Sequence, residues 1–246
     1  SPNRVVLGRD VRPGQVFEIA VFGVNAPLSA PPGNFIWVRS ATLDFYRANE
    51  SGNVTPVEAI VVRRDAAVDA ILPRSPVVER LATGVTFTEG PVWVAEGNYL
   101  LFSDPNDNTI YRWSPDGQVS VFRTKSGYTG ADIGEYRQPG SNGLTLDAEG
   151  RLVIDEHGNR RVVRLERTGA ITVLADRYQG KRLNSPNDLV YKSDGALYIT
   201  DPPFGLLKAH GEPRKETPHS GVYRLAGDTL ELLVSDLSGL NGIAFS

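Results

Sequence analysis

The chain has 246 residues, of which 40% are hydrophobic and 22% charged, and its formal net charge is −3 at pH 7. This balance is typical of a folded globular protein and lacks the basic surface that nucleic-acid and anionic-membrane partners require. There is no cysteine, which excludes disulfides, thiolate nucleophiles and cysteine-ligated zinc. No apolar stretch is long enough to span a bilayer as a helix. Cellular location and oligomeric state stay open.

Residues 1–75 are predicted to form a β-rich N-terminal extension, either the tail of a sandwich domain or a strand pair that covers the following domain. Strands are expected at 16–22 and 35–39, where aromatic and β-branched residues cluster. A short helix is expected at 65–72, because Pro73 prevents its continuation.

From residue 76 onwards a unit of four short strands recurs. Its first strand opens on an acid or amide at Glu89, Asn142, Asn187 and Asn241, with spacings of 53, 45 and 54 residues. Gly-containing turns separate the strands, which favours antiparallel meanders. Repeats of roughly 40–50 residues with four strands each are typical of propeller blades. The sequence therefore predicts an all-β fold in which residues 76–246 form a β-propeller of four-stranded antiparallel blades.

The predicted strands follow one order in each unit. They cover 89–93, 99–102, 109–113 and 119–122, then 142–146, 151–154, 161–165 and 171–174, then 187–191, 196–200, 221–225 and 230–234, with a further first strand at 241–245.

Equivalent positions of successive blades converge on the propeller axis, so Glu89, Asn142, Asn187 and Asn241 (the ring residues) are predicted to form a ring of oxygen ligands. A single Asn would be interpreted as a turn residue, and only its recurrence favours a metal site. Carboxylate and amide oxygens suit one hard divalent cation. We expect Ca²⁺ first, with Zn²⁺, Mn²⁺, Mg²⁺ and Fe²⁺ as alternatives.

The hairpin geometry places the ends of the second strands on the same rim as the ring residues. This brings four candidates for proton transfer to the mouth of the propeller: Asp188, Asp201, His157 and Asp104. Asp188 and Asp201 could instead fix their loops, and His157 has the pKa suited to a base but is more commonly a surface or hydrogen-bonding residue. Two longer insertions occur at 127–140 and 208–219, and the second leaves from this rim and could act as a lid.

Three arginines near this rim, Arg160, Arg161 and Arg182, are interpreted as solvated surface residues rather than as substrate contacts. Trp93, Trp113 and Tyr111 are interpreted as blade core.

Five motifs in this order resemble the gluconolactonase/regucalcin (senescence marker protein) family across residues 77–246. The resemblance implies a six-bladed propeller with one axial divalent metal that hydrolyses a sugar lactone of the glucono-1,5-lactone type to the aldonic acid. The motifs are Glu89-Gly-Pro-Val-Trp93, Ser141-Asn-Gly-Leu-Thr-Leu-Asp147, Leu183-Asn-Ser-Pro-Asn-Asp-Leu189, Thr200-Asp-Pro-Pro-Phe-Gly205 and Leu240-Asn-Gly-Ile-Ala-Phe245.

By resemblance, Glu89 and Asn241 match metal-binding positions, Asn187 matches an Asn beside metal and substrate, and Asn142 matches the polar position of the intervening blade. The family's remaining ligand, an Asp, would fall beyond Ser246, so we expect the chain to be part of a longer protein. Two alternatives stay open: a promiscuous ester or phosphotriester hydrolase on the same metal, and a non-catalytic propeller that binds a sugar or a protein.

Overall fold

The computed structural model describes residues 3–5, 55–57, 61–70 and 72–245. The strands predicted at 16–22 and 35–39 lie outside these residues. Three short antiparallel strands form a small sheet in the order β1–β3–β2. They are β1 (Asn3–Val5), β2 (Thr55–Val57) and β3 (Val78–Arg80). This sheet pairs strands from both sides of the domain boundary predicted at residue 75, and that boundary stays a prediction.

The helix predicted at 65–72 is present as a 3₁₀ helix over Ala66–Ala70. Its first turn is capped by Asp65, whose Oδ1 accepts a hydrogen bond from the N–H of Ala67 at 2.8 Å. Within the described residues no helix is long and apolar enough to cross a membrane.

Three consecutive sheets follow, each a meander of four antiparallel strands hydrogen-bonded in chain order. A short two-stranded hairpin joins the second blade to the third. The strands are β4 (Glu89–Val94), β5 (Tyr99–Asp104), β6 (Thr109–Trp113) and β7 (Val119–Thr124) in the first blade; β8 (Ser141–Leu146), β9 (Leu152–Glu156), β10 (Arg161–Leu165) and β11 (Ile171–Ala175) in the second; β12 (Arg177–Tyr178) and β13 (Lys181–Arg182); and β14 (Asp188–Tyr191), β15 (Leu197–Asp201), β16 (Gly221–Ala226) and β17 (Thr229–Val234) in the third.

The predicted all-β propeller architecture is confirmed as three four-stranded blades, and their twelve strands agree with the predicted ones to within two residues at each end. The strand predicted at 241–245 is wrong, because these residues form no ladder with any described strand. A strand exists only where a neighbour supplies its hydrogen bonds, so an apolar pattern alone does not create one.

The hydrophobic core lies between blades rather than inside each one. Leu101 and Ile110 of the first blade pack with Ile154 and Val163 of the second. Val153, next to Ile154 in β9, instead joins a cluster with the third blade, because successive side chains of a strand point to opposite faces. The second sheet is therefore packed on both faces, which explains its dense apolar pattern. Trp113 is buried and packs with Trp93 and Tyr111, which confirms the interpretation of all three as core residues.

Candidate active site

The first strands of the blades lie side by side, with β8 in contact with both β4 and β14. Glu89 is the first residue of β4, Asn142 the second of β8, and Asn187 immediately precedes β14. Register shifts interrupt the ladder beside Glu89 in the first blade and between Ser141 and Leu144 in the second. Such bulges turn individual side chains away from the regular pleat and are common next to functional sites.

Contacts of the residues beside the ring positions connect one blade to the next. Ser103, which pairs with Glu89, has its Oγ 2.8 Å from Oγ of Ser141, the neighbour of Asn142. A Cβ added at Gly143 would lie only 2.8 Å from the backbone oxygen of Asn187, so this close approach requires glycine. These contacts place the first three ring residues along one continuous edge.

The same edge continues to Asn241. Thr200 in β15 donates its Oγ1–H to the backbone oxygen of Asn241 at 2.7 Å, and Asp188 accepts the N–H of Ile243 at 2.8 Å through Oδ2. The segment that carries Asn241 is therefore attached to the third blade although it forms no strand. The structure thus brings all four ring residues to one edge of the inner strands.

The donor set on this edge fits a hard divalent cation. Asn142 and Asn187 are 3% and 2% exposed, Glu89 is half-buried and Asn241 is exposed. Oδ1 of Asn187 is buried and has no hydrogen-bond partner among the described residues. A buried carbonyl oxygen without a partner is unfavourable by about 1–3 kcal/mol, and a bound cation would satisfy it. No group of three or more His, Cys, Asp or Glu side chains that could hold a metal occurs among the described residues.

Asp188, predicted as a proton-transfer candidate, lies directly after Asn187 and is 3% exposed. Its Oδ1 accepts the N–H of Leu189 at 2.9 Å, and its Oδ2 holds the Asn241 segment as described above. Both oxygens of this carboxylate accept backbone hydrogen bonds, and the one from Ile243 attaches the segment that carries Asn241 to the third blade. Its catalytic role stays a prediction.

Asp201, the second candidate, is wholly buried at the end of β15. Burial raises the pKa of this carboxyl to about 7, and the backbone N–H groups of Asn184 and Ser185 oppose the shift. Its Oδ2 accepts the N–H of Asn184 at 2.7 Å. Asp201 therefore faces the turn that precedes Asn187, and its role in proton transfer stays a prediction.

His157, the third candidate, is also wholly buried, and burial lowers its pKa to about 3 while the backbone carbonyl of Gln138 opposes this shift weakly. A Cβ added at Gly205 would lie 2.6 Å from Cβ of His157, so the ring is covered by the loop after β15. The imidazole is neutral at pH 7 and is a weak base, which favours a packing role.

The interpretation of Arg160 as a solvated surface residue is wrong. This side chain is 4% exposed, and its Nε donates to the carbonyl oxygens of Leu183 at 2.7 Å and Asn184 at 3.1 Å. The Arg160-Arg161 pair looks like surface in the sequence because nothing local shows which of the two points inwards. Arg161 is half-buried, with its Nε 2.5 Å from Oε2 of Glu156, and Arg182 donates to the carbonyl oxygen of Asn159 at 2.9 Å.

The first insertion, 127–140, contacts the loop of the third blade that contains Gly205, Leu206 and the second insertion. Tyr136 forms an isolated antiparallel bridge with Leu206, and the N–H groups of Arg137 and Gln138 donate to the carbonyl oxygen of Gly205. Arg214 donates from Nη2 to the carbonyl oxygen of Glu135 at 2.6 Å. The loop between the first two blades and the loop inside the third blade therefore form one layer over His157.

Comparison with known proteins agrees with this fold. A family model described as the SMP-30/Gluconolactonase/LRE-like region matches residues 87–246. A gluconolactonase of Zymomonas mobilis subsp. mobilis is 42% identical over 182 residues, which cover 73% of this chain and 51% of the relative. The chain thus spans about half the length of this curated relative.

Two solved structures share the architecture. A gluconolactonase from Xanthomonas campestris is 33% identical with a TM-score of 0.63, and the match covers 77% of this chain and 61% of that one. A putative gluconolactonase solved by structural genomics is 36% identical with a TM-score of 0.54, covering 65% and 52% of the two chains. The family match, the identities and the shared blades lead to one conclusion: this chain belongs to the SMP-30/gluconolactonase/LRE-like family.

Proposed function

We propose that the protein hydrolyses a sugar lactone, of the glucono-1,5-lactone class, to the corresponding aldonic acid with the help of one divalent cation, Ca²⁺ in the first instance. The observation that carries the proposal is the buried, unpartnered Oδ1 of Asn187 on an edge shared with three further oxygen-bearing side chains. Similarity to the gluconolactonases of Zymomonas mobilis and Xanthomonas campestris supports the substrate class.

The ring residues, Glu89, Asn142, Asn187 and Asn241, would hold the cation through one carboxylate and three amide oxygens. When bound, the cation supplies Lewis-acid polarisation of the substrate carbonyl. For proton transfer we propose Asp188 before His157 and Asp201, because Asp188 adjoins Asn187 on an inner strand. The other two candidates lie at or beyond the ends of second strands and are wholly buried. Asn142 and Asn187 are buried, so bulk water is excluded from these two ring positions and charge interactions there are stronger.

The decisive experiment combines Glu89→Gln with chelator-stripped protein. We expect calcium binding by the unmodified protein, and release of acid from glucono-1,5-lactone that stops with chelator and returns with metal. Glu89→Gln removes the only carboxylate of the four, so calcium should bind at least about tenfold more weakly and turnover should fall in parallel. Calorimetry measures the binding and pH-stat titration the turnover.

Glu96→Gln is the matched control, because Glu96 is an exposed carboxylate in the turn at the far end of the same β4–β5 hairpin. Turnover that survives complete removal of metal would contradict the proposed metal dependence. Calcium binding without hydrolysis of any aldonolactone would instead support a non-catalytic binding propeller.

A further inference from the structure

In the first blade, a buried carboxylate is attached to the turn that carries a ring residue. Asp104 is wholly buried at the end of β5. Its Oδ2 accepts the N–H groups of Thr86 at 2.7 Å and Phe87 at 3.3 Å. These residues stand three and two positions before Glu89. The carboxylate thus fixes two successive peptides just upstream of the predicted ligand.

The third blade repeats this arrangement at the same positions. Asp201 ends β15 as Asp104 ends β5, and its Oδ2 accepts the N–H of Asn184 at 2.7 Å. The N–H of Ser185 also hydrogen-bonds to this carboxyl. Asn184 and Ser185 stand three and two positions before Asn187. Two blades with different loop sequences therefore use one carboxylate, at one strand position, to hold the same two peptides.

The second blade lacks the arrangement for a visible reason. Its second strand also ends in an acid, Glu156, but the residue three positions before Asn142 is Pro139, which has no N–H to donate. Glu156 instead accepts from Arg161 at 2.5 Å and from Nδ2 of Asn159 at 2.8 Å. The contact is thus present where its backbone donors exist, and it is replaced where proline removes one.

Arg160 reinforces the third-blade contact from the opposite side. Its Nε donates to the carbonyl oxygens of Leu183 and Asn184, whereas Asp201 accepts the N–H of Asn184. Asn184 is thus held at its N–H by a buried carboxyl group and at its C=O by a buried guanidinium. A hydrogen bond from a charged donor is roughly twice as strong as a neutral one, so the Arg160 contact restricts the movement of this turn.

We propose that Asp104 and Asp201 are positioning residues, which set the geometry of the Glu89 and Asn187 oxygens by fixing the backbone two and three residues upstream. The inference rests on the proposed function, because it concerns the same cation. In this proposal neither carboxylate contacts the cation or the substrate, so Asp104 and Asp201 act by positioning and not as the proton-transfer group. Groups that orient metal ligands in this way typically change metal affinity by 10–100-fold when they are replaced.

The test replaces each carboxylate by the isosteric amide. Asp104→Asn and Asp201→Asn retain one acceptor oxygen but cannot ionise. Asp104 also accepts the N–H groups of Asn106 and Asp107 through Oδ1, both at 3.2 Å, so its replacement affects four N–H groups in total. We expect each to weaken calcium binding at least about tenfold, as measured by calorimetry. The matched controls are Asp116→Asn and Asp194→Asn. These exposed carboxylates accept the N–H of Gln118 at 3.1 Å and of Ala196 at 3.0 Å, in turns away from the ring. Controls should bind calcium within about twofold of the unmodified protein.

Unfolding midpoints in chelator separate positioning from stability alone. Lower midpoints with calcium affinity unchanged within about twofold would overturn the inference and leave the metal site intact. Absence of calcium binding by the unmodified protein would overturn the proposed metal site, and the inference with it. If Asp201→Asn does not fold, Asp104→Asn in the first blade tests the same claim independently.

Discussion

At the scale of single residues, the buried imidazole of His157 makes stability depend on pH. Its pKa is lowered to about 3 in the folded protein, against an ordinary value of 6.5. Below pH 6.5 the unfolded chain therefore binds more protons than the folded one. The stability that neutral His157 contributes is present above pH 6.5 and is lost as the pH falls from 6.5 towards 3.

We expect the unmodified protein to lose about 2 kcal/mol more of its free energy of unfolding than His157→Gln between pH 7.5 and pH 5. Urea unfolding in the presence of chelator measures both. The difference between variants cancels the opposite contribution of Asp201, whose raised pKa of about 7 makes the fold lose stability as the pH rises towards 7. His210→Gln, at an exposed position, is the control. Equal pH dependence in His157→Gln and the unmodified protein would contradict the buried neutral imidazole.

Single residues also differ in how far the sequence reveals them. The ring residues could be found because the same chemistry recurs at one blade position. The acids Asp104, Glu156 and Asp201 recur in the same way, and this signal in the sequence points to their common strand position. Arg160 gives no such signal, because only the loop that covers it shows that its guanidinium is buried.

At the scale of elements, Arg214 connects the second insertion to the first. Its Nε donates to Oε1 of Glu212 at 2.8 Å, its Nη2 reaches the carbonyl oxygen of Glu135, and its guanidinium lies 5.3 Å from the centre of the Tyr136 ring. A lysine keeps the charge but has neither the planar fork nor the stacking surface.

We expect Arg214→Lys to speed hydrogen exchange of the Arg137 and Gln138 amides, which donate to the carbonyl oxygen of Gly205, by at least about fivefold. Arg167→Lys is the matched control, because Arg167 donates to the carbonyl oxygen of Glu149 at an exposed site away from the insertions. Unchanged protection of both amides in Arg214→Lys would show that the insertions hold together without this side chain.

At the scale of the whole molecule, the core between blades predicts that they unfold together. Leu189 in β14 is 1% exposed, and its Cδ2 would lie 2.7 Å from a Cβ added at Gly143 in the second blade. Leu189→Ala should lower the free energy of unfolding by about 2–5 kcal/mol, whereas Leu233→Ala, at a side chain 44% exposed on β17, should cost far less.

The fluorescence of Trp93 and Trp113 reports on the first blade once Trp37 is replaced by Phe. In Leu189→Ala the urea midpoint measured by this fluorescence should fall, and it should coincide with the midpoint measured by circular dichroism, which reports on all strands. Separate transitions for the two signals would contradict a core shared between blades.

The four-strand unit, its repetition and the chemistry of the ring residues can be inferred from the amino-acid sequence alone, because strand alternation, glycine turns and recurrence are properties of the chain itself. The sequence did not determine which polar groups hold those residues in place. Only the folded structure shows that Asp104 and Asp201 face upstream turns, that Arg160 is buried, and that 241–245 forms no strand. The contacts of Asp104, Asp201 and Arg160 are made with partners 17 or more residues away in the chain, and only folding brings such partners within hydrogen-bond distance. Residues 241–245 form no strand because no described strand supplies their hydrogen bonds.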